Sequence, residues 1–348
     1  MTQDMKSLGW SQHFTGQLSL EDFETYTPVR ISEVRRRDVV ALDASLNRHE
    51  LALTGELIAS EFAVGDFALT DGERIIRLLD RRTLISRKAA GIASETQLIA
   101  ANIDTLFITT SCNDDFNEAR LERYLAIAIE AGIDPVIVIT KADKPQDGDA
   151  ETYADRARSL YRDAQVLAIN AKDSGDIDRL QTWCGPGQSV ALVGSSGVGK
   201  STIARGLTGQ DLAVGDIRED DAKGRHTTTA RSMYRMLAGG WLVDTPGMRE
   251  LALHDASGGI DTLFGDVTDL ALGCKFSDCQ HETEPGCAVR AAIDAGELDP
   301  DRLTRWRKLK SEDAHNSETI AEARQRGRKF SKMVKSTMKA KRARRGER

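Results

Sequence analysis

The chain has no apolar run that approaches the length of a membrane span, which excludes a membrane-crossing helix. Residues 1–14 lack the cationic stretch followed by an apolar one that marks a signal peptide. Cysteine is scarce and odd in number, five in 348 residues, and three of the five crowd together with a histidine. That excludes a disulfide framework and suits a metal site in a reducing compartment, so a cytoplasmic protein is expected. What is there is ordinary for a soluble globular chain: 40% hydrophobic and 29% charged residues, enough for two or three domains.

The net charge of −6 conceals an asymmetry. Residues 321–348 hold twelve Lys/Arg against two Asp/Glu, a net +10, which leaves −16 on the rest. Such a split marks a tail that meets a polyanion, although a solvated terminus has the same composition.

Residues 1–28 are polar and mixed and read as a poorly ordered lead-in. Five short β-rich runs follow, at 29–32, 38–42, 50–54, 66–70 and 74–79, separated by turn signals at Asn47, Gly55, Gly65 and Asp71-Gly72. They predict a small β-barrel of the OB type, with an SH3-like barrel as the alternative. Arg35-Arg36-Arg37 and Arg81-Arg82 could meet phosphates there, or simply be solvated. From about Leu98 strands and helices alternate: strands at 104–110, 135–140, 166–170 and 189–193, helices at 117–131 and 151–164. This pattern predicts a largely parallel sheet covered on both faces, with 232–237 and 240–243 as an edge hairpin. Beyond about His254 the apolar strands stop, and a Cys/His cluster with helical segments leads to the basic tail.

Gly194, Ser195, Ser196, Gly197, Val198, Gly199, Lys200 and Ser201 fit the phosphate-loop pattern G-x-x-x-x-G-K-[ST] in full. The loop follows the apolar Val190-Ala191-Leu192-Val193 and opens a helix, as the mechanism requires. Its glycines let backbone N–H groups close around phosphate oxygens. Lys200 is placed to bridge the β- and γ-phosphates, the Ser201 hydroxyl to ligate Mg²⁺, and Thr202 stands next to the nucleotide. Asp244 ends the run Trp241-Leu242-Val243; a carboxylate there can hold Mg²⁺ through water, and the Gly247 N–H can face the γ-phosphate. Alone, Asp244-Thr245-Pro246-Gly247 is only a turn signal, and its distance from the phosphate loop makes the nucleotide reading the better one.

Thr140, Lys141, Ala142 and Asp143 follow the apolar Val136-Ile137-Val138-Ile139. Asp143 can accept hydrogen bonds from guanine N1 and N2, a donor pair that adenine lacks, and the Lys141 stem can cover the base. Thr140 stands where Asn is usual, and its shorter hydroxyl is expected to hold less of the loop together. Asn170, Ala171 and Lys172 resemble the second base-contacting loop, with Asn for the usual Ser. These base-reading elements precede the phosphate loop, as if a nucleotide-binding sheet had been cut and rejoined, so the segment after Asp244 leads directly into the C-terminal region.

Gly224-Arg225-His226-Thr227-Thr228-Thr229 occupies the place of a first switch. Thr228 is chosen to complete the Mg²⁺ shell. Met248 stands where a water-orienting Gln is common, so a low intrinsic rate is expected, with His226 the nearest catalytic candidate beside Lys200. Gly197 replaces the Asn of potassium-activated GTPases. Cys274, Cys279, His281 and Cys287 supply three thiolates and one imidazole, a closed tetrahedral set for structural Zn²⁺. Cys112 and Cys184 lack such company and read as small buried side chains.

On these residues the chain resembles the ribosome small-subunit-dependent GTPase A family of circularly permuted bacterial GTPases. The resemblance runs from about Val29 to about Leu309. It is carried by Ala101-Asn102-Ile103-Asp104, the Thr140, Gly194, Gly224 and Asp244 motifs, and the run from Cys274 through Glu284-Pro285-Gly286-Cys287-Ala288-Val289. It implies a multi-domain protein: lead-in 1–28, OB-fold β-barrel 29–90, circularly permuted α/β P-loop GTPase 91–255, mainly helical zinc-binding domain 256–315 and basic tail 316–348. It implies GTP/GDP, Mg²⁺ and one Zn²⁺ as cofactors. It further implies GTP hydrolysis stimulated by the small ribosomal subunit, in late maturation of that subunit, through nucleotide-dependent binding to its rRNA by a monomer. Two readings compete: a P-loop small-molecule kinase with an accessory barrel, and a constitutive RNA-binding scaffold with a vestigial nucleotide site. Asp143 speaks against the first; Lys200, Ser201 and Asp244 speak against the second.

Overall fold

The computed structural model describes residues 4–53, 57–88, 96–211, 232–244, 251 and 253–317. Its N-terminal segment corrects the expectation of a poorly ordered lead-in. A 3₁₀ turn at Asp4–Leu8 leads to α1 (Gln12–Thr15) and α2 (Leu20–Thr25). Met5, Leu8, Trp10 and Phe14 are buried in the main core. The Trp10 and Phe14 rings lie 5.2 and 4.4 Å from Phe67. Four apolar anchors dispersed among polar residues have no readable period, which is why composition alone misjudged the segment.

All five β-rich runs form strands: β1 (Thr27–Val34), β2 (Asp38–Leu42), β3 (Arg48–Ala52), β4 (Phe67–Thr70) and β5 (Ile75–Leu78). β1 pairs antiparallel with both β2 and β4, β2 with β3, and β4 with β5. A parallel bridge between Ala52 and Arg74 brings the end of β3 to the start of β5 and completes the circuit. Val29, Ile31, Val39, Ala41, Leu51, Phe62, Ala68 and Ile75 fill the interior. Arg30 is buried and donates to the carbonyls of Leu8 (2.5 Å), Gly65 (3.3 Å) and Asn102 (3.1 Å), tying the N-terminal segment and the barrel to the chain that follows. Burial pushes its guanidinium down to about 10. Arg81 and Arg82, considered above as phosphate contacts, are spent inside the protein: Arg81 forks onto Asp66 at 2.6 and 2.8 Å, and Arg82 pairs with Asp104.

The hairpin β6 (Leu84–Lys88) and β7 (Thr96–Ala101) spans the boundary expected at 90. The α/β unit then runs β8 (Thr105–Ser111), α3 (Glu118–Glu130), β9 (Asp134–Thr140), α4 (Ala150–Arg158), β10 (Gln165–Ala168), α5 (Ser174–Arg179), β11 (Ser189–Val193), α6 (Lys200–Thr208), β12 (Ser232–Arg235) and β13 (Trp241–Asp244). α4 stops six residues short of the expected Ala164, where the Ser159 hydroxyl turns back onto the Arg156 carbonyl at 2.8 Å. The strand order is β10-β9-β8-β11-β13-β12, parallel except for β12, and a single register pair, Glu33 with Ser232, joins β12 to the barrel. Side chains alternate along each strand. Leu106, Ile108, Ile137, Ile139, Ala191 and Val193 enter one core, and Phe107, Val136, Val138, Val190 and Leu192 the other. The chain moves outward from β8 to β10 and returns to β11 beside β8. That reversal opens a crevice at the carboxyl ends of β8 and β11.

Four helices close the described chain: α7 (Ser257–Leu263), α8 (Gly265–Ala271), α9 (Ala288–Asp294) and α10 (Pro300–Ser317). α7 packs directly on α3 and α10 is ion-paired to it, and Ile260, Leu263, Phe264, Val267, Leu303 and Leu309 share one core with α3. The buried Glu122 of α3 accepts from Arg302 (2.9 Å) and Arg305 (2.9 and 3.0 Å) of α10, so the charge is fully paired. Among the described residues no helix is long and apolar enough to cross a membrane.

Candidate functional site

Three expected loops meet at the crevice. The first leaves β11 at Gly194, whose φ of +139° no L side chain readily adopts; a Cβ there would stand 2.1 Å from the Thr109 carbonyl oxygen of β8. Gly199, at φ +99°, begins α6 against the Thr140 side chain. Ser196 and Gly197 are exposed, Ser195 half-buried and Val198 buried. Lys200 is almost fully buried, and its Nζ donates to the carbonyls of Gly194 (2.8 Å) and Ser195. Ser201 and Thr202, half-buried, complete the first turn. A helix start of this kind offers unpaired backbone N–H groups to an anion, and a buried ammonium beside them adds positive charge. This chemistry fits a polyphosphate.

The second loop leaves β9. The Thr140 hydroxyl lies 3.1 Å from the Thr110 carbonyl and 2.5 Å from that of Val198, so it does reach the phosphate loop. A hydroxyl has a single proton, so it can donate to only one of these two carbonyls. Lys141 takes a left-handed φ of +58°, which turns the chain sharply before the half-buried Ala142 and the exposed Asp143. The third loop follows β10 and is locked to the second, since the Ala142 N–H donates to the Ile169 carbonyl at 3.1 Å. Asn170 accepts from the Lys172 N–H at 3.1 Å, and the Asn170 N–H donates to Asp176 at 2.7 Å; Ala171 lies between. Asp244 ends β13, paired in register with Ser232. Asp244 therefore lies at the carboxyl edge of the same sheet. His226, Thr228, Gly247 and residues 318–348 of the tail lie outside the described residues.

A second cluster stands apart. Ligand atoms of Cys274, Cys279, His281 and Cys287 all lie within 4.8 Å of one another. The Cys274 and Cys287 sulfurs are 3.8 Å apart, and the His281 Nδ1 is 3.6 Å from the first and 3.4 Å from the second. Bond lengths of about 2.3 Å to sulfur and about 2.0 Å to nitrogen put the corners of a zinc tetrahedron about 3.8 Å (S–S) and about 3.5 Å (S–N) apart. The donors fit that ion. Glu284 braces the loop by accepting from the N–H groups of Gln280, Glu282 and Thr283 at 2.8–3.0 Å, which holds its carboxyl down at about 2.

Reading the sequence missed one polar contact of the phosphate loop. Arg120, in the first turn of α3, donates to the Ser195 hydroxyl across 75 positions. No local pattern announces such a contact. Asp176, which holds the Asn170 loop, was missed likewise, although Asp173-x-x-Asp176 is a legible helix start.

Residues 78–254 match the model of the RsgA GTPase family. The small ribosomal subunit biogenesis GTPase RsgA of Mesorhizobium japonicum is 50% identical over 319 residues, covering 90% of this chain and 91% of the relative. The small ribosomal subunit biogenesis GTPase RsgA 2 of Vibrio parahaemolyticus is 45% identical over 343 residues, covering 98% and 94%. Two crystal structures share the fold. YjeQ from Thermotoga maritima has TM-score 0.61 at 23% identity, over 82% of this chain and 97% of the other. YloQ, described as a circularly permuted GTPase, has TM-score 0.57 at 21% identity, over 84% and 97%. Loops after β9 and β10 that precede the phosphate loop in sequence yet meet it in space fit that permuted order, and the chain belongs to the RsgA GTPase family.

Proposed function

We propose that this GTPase acts in late maturation of the small ribosomal subunit, binding the subunit's rRNA in one nucleotide state and leaving it after hydrolysis. The observation that carries the reading is the junction at Thr140, where the base-reading loop is hydrogen-bonded to the phosphate-reading loop. A kinase that reads adenine has no use for Asp143 in that place, and a scaffold has none for a buried Lys200. The names of the relatives supply the subunit.

The proposed division is N-terminal segment 1–28, barrel 29–90, GTPase 91–255, helical zinc domain 256–315 and basic tail 316–348, with the β6–β7 hairpin straddling the boundary at 90 and α10 that at 315. The barrel is inferred to be an OB-fold, because its pairing circuit 1-2-3-5-4-1 is the connectivity of that fold. The chain acts as a cytoplasmic monomer. In the nucleotide site Asp143 reads guanine N1 and N2, Lys141 covers the base, and Asn170, Ala171 and Lys172 line its far side. Residues 194–199 give backbone N–H groups to the phosphates, with Thr202 alongside. Lys200 leaves the carbonyls it now holds and compensates phosphate charge as hydrolysis proceeds. Ser201 and Thr228 are the Mg²⁺ ligands, helped by Asp244 through water, and the Gly247 N–H meets the γ-phosphate. His226 orients the attacking water. Cys274, Cys279, His281 and Cys287 hold a structural Zn²⁺ that supplies folding free energy to the C-terminal helices.

The test is turnover of GTP and of ATP by the full chain, with and without purified small subunits. GTP-specific turnover that rises with subunits is the expected result. His226→Ala should bind GTP normally and lose most of that rise, and Lys200→Ala should lose turnover with its fold intact. Equal use of ATP, or no response to subunits, would overturn the reading.

A further inference from the structure

Helix α3 is gripped along one flank by the C-terminal helices and touches the phosphate loop with its first turn. Glu122 is bound by Arg302 and Arg305, Arg123 pairs with Glu312 at 2.6 Å, and Glu130 accepts from the Gly259 N–H at 2.6 Å. At Gly259 a Cβ would meet the Ala126 carbonyl oxygen at 2.2 Å, so α7 lies backbone to backbone on α3. The apolar stripe Leu121, Leu125 and Ala128 is buried as well. A helix held this way moves as a rod rather than bending.

Arg120 stands at the other end of these contacts. Asn117 caps the helix by accepting from the Arg120 N–H at 2.9 Å, which fixes where the side chain starts. The guanidinium then donates to the Ser195 hydroxyl. Ser195 is thus held at two points, its carbonyl by Lys200 and its hydroxyl by Arg120. A small shift of α3 would displace Ser195 and, with it, the anchor of the lysine that faces the phosphates.

We propose that Arg120 is a positioning residue for the phosphate loop, and that α3 carries displacements of the C-terminal helices to that loop through it. The inference rests on the reading of residues 194–201 as the phosphate site. It adds a connection independent of the covalent one that runs from Asp244 toward the same helices. Its chemistry is geometric: the planar guanidinium fixes direction as well as charge, which an ammonium does not.

The experiment measures release of a fluorescent GDP from the full-length chain without ribosomes. Variants are Arg120→Ala, Arg120→Lys, Glu312→Ala and the Arg120→Ala/Glu312→Ala double. Glu312→Ala loosens α3 from α10 at a partly exposed pair one helical turn along α3 from Arg120. Arg120→Ala should speed release about fivefold and Glu312→Ala about twofold, with the double no faster than Arg120→Ala alone. Arg120→Lys should follow Arg120→Ala. A purely structural Arg120 would give effects that multiply. Multiplying effects, or wild-type release from Arg120→Ala or Arg120→Lys, would overturn the proposal. If thermal unfolding shows Arg120→Ala to be misfolded, Ser195→Ala removes the same contact from the other side and is read in the same cycle. A wild type that binds no GDP would sink the phosphate-site reading and this inference together, whereas binding with unaltered release in the variants sinks the inference alone.

Discussion

The hydroxyl of Thr140 meets the carbonyl of Val198 at 2.5 Å, across 58 positions of sequence. Through this contact the loop proposed to read the base and the loop proposed to bind the phosphates hold one geometry. The Thr140 side chain is buried, so the Val198 carbonyl has little water to turn to if the hydroxyl is lost. Thr140→Val keeps the shape and removes the donor. The variant should lose about 1 kcal/mol of stability, together with a several-fold weakening of GTP binding. Thermal unfolding and a fluorescence titration check both, and a variant with wild-type values in each would show the contact to be idle.

Asp143 is exposed at the lip of the crevice, free to meet a base edge. Asp143→Asn exchanges an acceptor for a donor. Guanine nucleotides should bind on the order of a hundredfold more weakly, because a polar edge is left mismatched, while xanthine nucleotides should gain. Competition binding with GTP and XTP measures the switch. Loss of both nucleotides alike would mean that the residue holds the loop rather than reads the base.

Glu284 adds a pH dependence of its own to the loop that carries the Cys/His cluster. Its carboxyl is held at about 2, chiefly by the Gln280 N–H, against an ordinary 4.5. A lowered carboxyl stabilises the fold above its ordinary range and loses that contribution as pH falls. The brace is therefore complete above about pH 5 and fades toward pH 2. Glu284→Ala should release zinc to a chelator several-fold faster at neutral pH, and the difference from wild type should shrink as acid removes the wild-type brace. Equal release rates at pH 7 would argue that the thiolates alone set the loop.

The basic tail can be tested by deletion. Removing residues 321–348 takes away twelve cationic side chains. Affinity for small subunits should drop and its dependence on salt should flatten, since each phosphate contact releases counterions. Basal GTP turnover should survive, because the nucleotide motifs end before residue 252. An unchanged salt slope would leave the contact to the barrel, where Arg36 and Arg37 remain exposed while Arg81 and Arg82 are committed to Asp66 and Asp104.

Much was legible before the fold was known, and for one physical reason. Where chemistry needs a local backbone shape, it leaves a local pattern. Gly194 is glycine because β8 leaves no room for a side chain, Gly199 because its φ of +99° suits no L side chain, and Cys274 to Cys287 lie close in sequence because one short loop brings their four donor atoms together. The five barrel strands and the alternating α/β unit showed in period and turns for the same reason. Contacts between distant segments leave no such trace. Packing of Met5, Trp10 and Phe14 into the main core, burial of Arg30 among three carbonyls, commitment of Arg81 to Asp66, the reach of Thr140 to Val198 and that of Arg120 to Ser195 all depend on which surfaces meet. Sequence determined which loops could hold a guanine nucleotide and a metal; only the tertiary structure decided how those loops are tied to each other and to the C-terminal helices, because a hydrogen bond or ion pair across 58 or 180 positions is set by packing and not by spacing.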